Sequence, residues 1–192
     1  MSVSLQKGQK VSLTKDNPSL GIIVVGLGWD AVQPQNAGKV QDFDCDAAAI
    51  LLQNGKFVQK SDLVYYANLA HHSGVVEHLG DNLTGDGEGD DERIIVDLAS
   101  MPAEYDRIII TVNIFDCVAR KQHFGMIENA FVRIIDAKTQ NEMCKFNLTE
   151  KYDGMTAMIF GELYRKDGEW KFNAIGQGTT DSSLTEIVKR YC

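Results

Sequence analysis

Twelve short apolar segments, most of them rich in β-branched residues and none longer than ten residues, run along this chain with turn residues between them. They are Val3 to Leu5, Lys10 to Thr14, Ile22 to Leu27, Phe43 to Leu52, Leu63 to Ala67, Val75 to His78, Arg93 to Leu98, Arg107 to Phe115, Ala130 to Asp136, Glu142 to Leu148, Thr156 to Arg165 and Trp170 to Ile175. Short strands at such spacing predict an all-β fold, an antiparallel β-sandwich of two packed sheets. Asn54-Gly55 and Asp167-Gly168 are type I′ hairpin signals, because both central residues of that turn take positive φ. Helix is expected only near the C-terminus, where Leu184, Ile187, Val188 and Tyr191 fall at helical spacing over 183 to 191. A turn is expected over 100 to 106, and 117 to 129 matches neither period. No linker-like run or internal repeat divides the chain, so 1 to 192 reads as a single domain.

A chain of 192 residues, 44% hydrophobic and 24% charged, can bury a core without disulfides or a structural metal. Cys45, Cys117, Cys144 and Cys192 form no CxxC pair and are expected to be reduced. The longest apolar runs, AAAILL from 47 and IIVVG from 22, are strand-sized, so no membrane span is expected. The N-terminus lacks a signal-peptide core, and the chain reads as cytoplasmic. A formal charge of −8 argues against nucleic acid as a partner and favours cations or basic surfaces.

The charge is local. Residues 81 to 92, DNLTGDGEGDDE, hold six acids and no base, which leaves a net −2 on the other 180 residues. Glycines 85, 87 and 89 alternate with the acids and let a backbone turn carboxylates and carbonyls inward, as a hard cation with six to eight oxygen ligands requires. A solvated loop is the ordinary reading of a charge run, but six unneutralised carboxylates carry repulsion that solubility alone does not demand. The EF-hand pattern fails, because Asp91 stands where its turn glycine belongs and a strand follows. Asp42, Asp44 and Asp46 alternate with apolar residues at the start of a strand, so they would share a face; a polar strand face is the alternative to a metal site. Asp30 lies just upstream.

Other signals lead nowhere. Gly26-Leu27-Gly28-Trp29 lacks the third glycine and the helix of a dinucleotide site, and the glycines read as a strand exit. His71, His72 and His78 with Glu77 match no zinc spacing. No G-x-S-x-G, H-E-x-x-H or P-loop is present, and Cys117 near Arg120 is a weak nucleophile candidate against an inert core cysteine. Arg120, Lys121 and His123 form a small basic patch. The chain is read as a non-enzyme.

Taken together, VSLQKGQKVSLTK, VGLGWD, DFDCDAA, GDNLTGDGEGDDE, ARKQHFG, AFVRI and FGELYRKDGEWKFNAIGQG resemble the TerD family of bacterial tellurium-resistance and general-stress proteins over roughly residues 1 to 178. That resemblance implies a cytoplasmic calcium-binding β-sandwich, without catalytic activity, linked to tolerance of tellurite and other toxic oxyanions, phage and colicins. It implies metal ligands among Asp30, Asp44, Asp46, Asp81, Asn82, Asp90, Asp91 and Glu92, to which the acidic run itself adds Glu88 at a variable position of the motif; it also implies about two calcium ions, and as partners other stress or tellurium-resistance proteins and a membrane-bound complex. The alternative is a C2-like module carrying calcium to anionic lipid; near 81 to 92 only Leu83 would serve it as an apolar rim. Cys117-Val118 replaces the family's usual small and acidic pair after Asp116, and the tail TTDSSLTEIVKRYC lacks its Gly-Gly step.

Overall fold

Along the strand Cys45–Gln53 successive side chains leave by opposite faces, and beyond Asp46 both faces are apolar as far as Leu52. Cys45, Ala47, Ala49 and Leu51 enter the main core, while Ile50 and Leu52 enter a second, smaller cluster. A strand apolar on both sides needs cover on both sides, and the architecture supplies it. The computed structural model describes residues 2–31, 43–80 and 89–192.

In chain order the strands are β1 (Val3–Leu5), β2 (Lys10–Ser12), β3 (Ile22–Ala31), β4 (Cys45–Gln53), β5 (Leu63–Val64), β6 (Val76–His78), β7 (Glu92–Asp97), β8 (Tyr105–Ile114), β9 (Ile127–Asp136), β10 (Glu142–Asn147), β11 (Ala157–Lys166) and β12 (Glu169–Thr179). They form two six-stranded sheets, ordered β1-β10-β9-β3-β7-β6 and β2-β12-β11-β8-β4-β5. The all-β sandwich read from the sequence is the fold. One departure is local: β1 runs parallel to β10, while the other pairs are antiparallel.

Between the sheets lie Ile23, Val25, Leu27 and Trp29 of β3, Ile94 and Val96 of β7, and Val132 and Ile134 of β9, against Ala47 and Leu51 of β4, Ile110 and Val112 of β8, and Phe172 of β12. The second cluster lies outside β4, β8 and β11, where α2 (Leu184–Lys189) lays Ile187 and Val188 over Ile50, Leu52, Ile109, Ala157 and Ile159. Ser183 caps α2 by accepting the Glu186 N–H, and Asp181 takes two hydrogen bonds from Arg190 at its far end. The divergent tail is thus the lid of the second cluster.

All twelve segments read as strands form strands. Both hairpin signals hold, with φ of 52° and 76° at Asn54 and Gly55 and of 56° and 77° at Asp167 and Gly168. The boundaries differ most at glycine. Gly26 and Gly28 lie inside β3, and Gly176 and Gly178 inside β12, because each leaves room that a neighbour fills: Phe131 over Gly28, Phe146 over Gly176, and Met155 with Tyr152 over Gly178. The strand expected to reach Ala67 stops at Val64, where Tyr65 and Asn68 close a turn. The ambiguous stretch holds α1 (Cys117–Arg120) and a 3-10 turn, Phe124–Met126.

Candidate metal centre

The carboxylates of β7 and those around the start of β4 reach one end of the sandwich from opposite sheets. Glu92 opens β7 with its side chain pointing between the sheets, 2% exposed, and its Oε2 accepts the Ala47 N–H at 2.6 Å. That bond stitches β7 of one sheet to β4 of the other. His78 Nε2 lies 3.3 Å from the same oxygen, while His78 Nδ1 accepts from Gly80 N–H. Cys45, buried between them, registers the concentration of charge: burial pushes its thiol pKa well up, and Glu92, Asp46, Asp44 and Asp91 push it further. The charges of both acidic clusters are thus felt at one buried thiol.

Each acid of the Asp90-Asp91-Glu92 run faces a different neighbour. Asp90 lies on the outer face of its sheet, above the gap left by Gly26. Arg133 of β9 holds it with two hydrogen bonds, Nε to Oδ1 at 2.7 Å and Nη2 to Oδ2 at 3.1 Å. Asp90 in turn raises the Arg133 pKa, against the effect of burial. Asp91 accepts the Trp29 N–H at 2.7 Å and donates its own N–H to Leu27 C=O. It lines an open cleft with Asp30, Gly89 and Asn129, where Asn129 donates to Asp30 at 2.8 Å.

At β4, Asp46 sits opposite Asn113 on the outer face and lines a second open cleft with Tyr65, Tyr66, Phe115 and Asp116. Asp44 precedes the strand, its carbonyl accepting from Phe115 N–H and its carboxylate 3.6 Å from Arg120. The basic patch thus partly neutralises the acidic end. Asp42, Asp81, Asn82 and Glu88 lie outside the described residues.

Hard carboxylate and carbonyl oxygens suit calcium rather than a thiolate- or imidazole-seeking ion, so the donor chemistry of both clefts fits the ion that the sequence implies. Arg133 is the functional neighbour that sequence reasoning missed; a lone arginine at an alternating strand position carried no sign that it faces Asp90. Cys117 is 2% exposed with its thiol directed at Ser182 C=O, an inert packing role. All four cysteines are free thiols.

The TerD domain model matches residues 1–191. The chain belongs to the TerD family. It is 50% identical over 192 residues to tellurium resistance protein TerD of Serratia marcescens, covering 100% of this chain and 97% of that protein. It is 48% identical to stress response protein SCP2 of Bacillus subtilis (strain 168), with 100% of each covered. A crystal structure of a homologue of telluride resistance protein (TerD) from Streptomyces coelicolor A3(2) superposes with a TM-score of 0.68 at 22% identity, over 88% of this chain and 95% of that one, and supports the fold. Among the described residues, no helix is long and apolar enough to cross a membrane.

Proposed function

We propose that this TerD-family chain is a non-enzymatic stress-response protein that supports resistance to tellurite and other toxic oxyanions, phage and colicins, acting through calcium held at the acidic end of the sandwich. The names of the similar proteins support the stress and tellurium part of that reading. The observation that carries the calcium part is the Glu92–Ala47 hydrogen bond, which joins the start of β7, with Asp91 and Glu92, to the start of β4, with Asp44 and Asp46, at one end of the two sheets. About two ions suit the two clefts, one lined by Asp30 and Asp91 and the other by Asp46, with Asp44 nearby at Arg120; Asp81, Asn82 and Glu88 belong to the same proposed ligand set and lie outside the described residues. Both oxygens of Asp90 accept hydrogen bonds from Arg133, so Asp90 stands outside the proposed ligand set. The ordered end then presents a surface to other stress or tellurium-resistance proteins, including a membrane-bound complex.

The test is calcium titration by calorimetry with magnesium as competitor, then pull-down with and without chelator. Calcium should win, because flexible oxygen-rich loops suit a large ion and magnesium keeps its waters. At about one hundred times Kd, one site adds about 2.7 kcal/mol to folding stability, which raises Tm by roughly 5–10 °C in a chain of this size. Equal melting temperatures in chelator and in millimolar calcium would reject the reading.

One observation favours a second reading, the C2-like membrane module. Phe115, whose N–H donates to the Asp44 carbonyl, and Val118 are 44% and 73% exposed, and the Arg120 guanidinium lies 5.4 Å from the Phe115 ring centre. An apolar and basic rim next to an acidic site is what lipid docking uses. Calcium-dependent sedimentation with phosphatidylserine vesicles, lost in Val118→Asp, would establish it; sedimentation indifferent to calcium would remove it.

A further inference from the structure

Away from the acidic end, a second group of ligating side chains gathers where the β4–β5 edge meets the start of β8. Asp62 closes the 3-10 turn Lys60–Asp62, and its side chain is fully buried. Its Oδ1 accepts from Tyr105 Oη at 2.7 Å and from Gln59 Nε2 at 3.0 Å. The same oxygen lies 3.3 Å from Nε2 of buried His71, while Oδ2 is buried without a hydrogen-bond partner. His72 is exposed, with its ring centroid 4.1 Å from that of His71. One ligating atom each from Asp62, His71 and His72 lie within 4.8 Å of one another.

A carboxylate removed from water costs several kcal/mol unless a cation or a full set of donors meets it. Here Tyr105 and Gln59 serve one oxygen and leave the other bare. The 3.3 Å between Asp62 Oδ1 and His71 Nε2 is long for an N–H···O hydrogen bond. It falls at the short end of the edge of a tetrahedron around an ion with ligands at about 2.0–2.2 Å, which sets neighbouring ligand atoms about 3.3–3.6 Å apart. His71 Nδ1 lies 2.7 Å from Ser73 Oγ. Nδ1 also accepts the Ser73 N–H at 3.3 Å, so without an ion Nε2 carries the ring proton and donates to Asp62; an ion at Nε2 displaces that proton to Nδ1, where Ser73 Oγ can accept it.

We propose that Asp62, His71 and His72 bind zinc or a similar divalent transition ion, with three protein ligands and a fourth position open to solvent on the His72 side. Two imidazoles and a carboxylate are donors for such an ion and not for calcium. Tyr105 and Gln59 hold the carboxylate in place. Loading ties the turn that precedes β5 to the loop that precedes β6, so the ion staples strands from two different sheets. The site stands apart from the acidic end: Asp62 falls one residue beyond the Ile50–Leu63 pair, opposite Leu51 and roughly 17 Å along β4 from Asp46. It therefore stands or falls independently of the calcium reading.

The experiment uses the full chain with Cys192→Ser, which removes the exposed thiol as a competing ligand, in millimolar calcium to satisfy oxygen-only sites. Zinc is titrated by calorimetry, and cobalt(II) absorption reports tetrahedral coordination. One ion should bind per chain, with a tetrahedral cobalt spectrum, and affinity should fall at least about tenfold in His72→Ala and in Asp62→Asn. His72 is exposed, so His72→Ala tests the ligand even where Asp62→Asn fails to fold. Affinity should be unchanged in Asp44→Asn and Asp91→Asn. Absence of zinc binding, binding indifferent to His72→Ala, or binding lost in Asp44→Asn or Asp91→Asn instead would overturn the proposal.

Discussion

Replacing Gly26 with alanine tests whether the outer face of the first sheet is built around the Asp90–Arg133 pair. Alanine in place of a mid-strand glycine ordinarily gains about 0.5–1 kcal/mol, through lower conformational entropy in the unfolded chain. At this position the added methyl would meet all three carboxyl-group atoms of Asp90, nearer than real side chains approach. Asp90 must swing away, and both charge-assisted hydrogen bonds, at 2.7 and 3.1 Å, are lost. Such bonds contribute about 1.5–3 kcal/mol each. The Arg133 side chain is 29% exposed and rehydrates when released, so the pair is discounted to about 2–3 kcal/mol. The net loss is about 1–2.5 kcal/mol, or roughly 2–10 °C in Tm for a chain of this size. Guanidinium denaturation should show a lower midpoint with an unchanged slope. The decisive measurement is the double-mutant cycle with Arg133→Leu, where Gly26→Ala should be neutral or stabilising because no ion pair remains to be broken. An equal penalty in both backgrounds, or stabilisation of the wild-type chain by Gly26→Ala, refutes the reasoning.

Three further outcomes are expected. Glu92→Ala should lose about 2–4 kcal/mol, because the Ala47 N–H is left buried without its acceptor, while Glu92→Gln should cost only about 1; chemical denaturation distinguishes them, and equal losses would deny the link between the sheets. Ile187→Ala should cost about 2–5 kcal/mol by the same assay, since Ile187 is fully buried in the second cluster; a loss below about 0.5 would mean that α2 is an appendage. At Asp181, burial raises the pKa, but hydrogen bonds from Arg190 and Thr179 outweigh it and bring the group below 3.8. A depressed folded pKa stabilises the fold above the unfolded value and loses that contribution as pH falls through the folded one, so wild type should lose more stability than Asp181→Asn as pH drops below 3.8; parallel acid profiles would contradict this.

The strands were legible because each is a local pattern: β-branched residues over a strand length, bounded by turn chemistry such as Asp167-Gly168. What was not legible depends on distant partners. Gly26 and Gly28 read as a strand exit, since a glycine's meaning in a strand is the neighbour that occupies the space it leaves, and Asp90 and Phe131 come from elsewhere in the chain. His71 and His72 read as loop bystanders because zinc spacing rules describe ligands near in sequence. Their third companion, Asp62, is delivered by a 3-10 turn that no periodicity announced. The parallel pairing of β1 with β10 was likewise invisible, being set by long-range topology.

The acidic run before β7 shows how one short stretch can serve opposed demands. Three consecutive carboxylates would repel one another if they shared a direction, yet here Asp90 goes outward to an arginine, Asp91 to the backbone of β3, and Glu92 inward to the backbone of β4. The alternation of a strand entering its sheet separates the charges, and each finds donors that the others do not use. The run Asp90 to Glu92 is consequently held at three points to strands of both sheets. A cation that drew the loop's carboxylates together would pull on β3, β4 and β9 at once, so that ion binding would register in the stability of the whole sandwich rather than in a local loop alone.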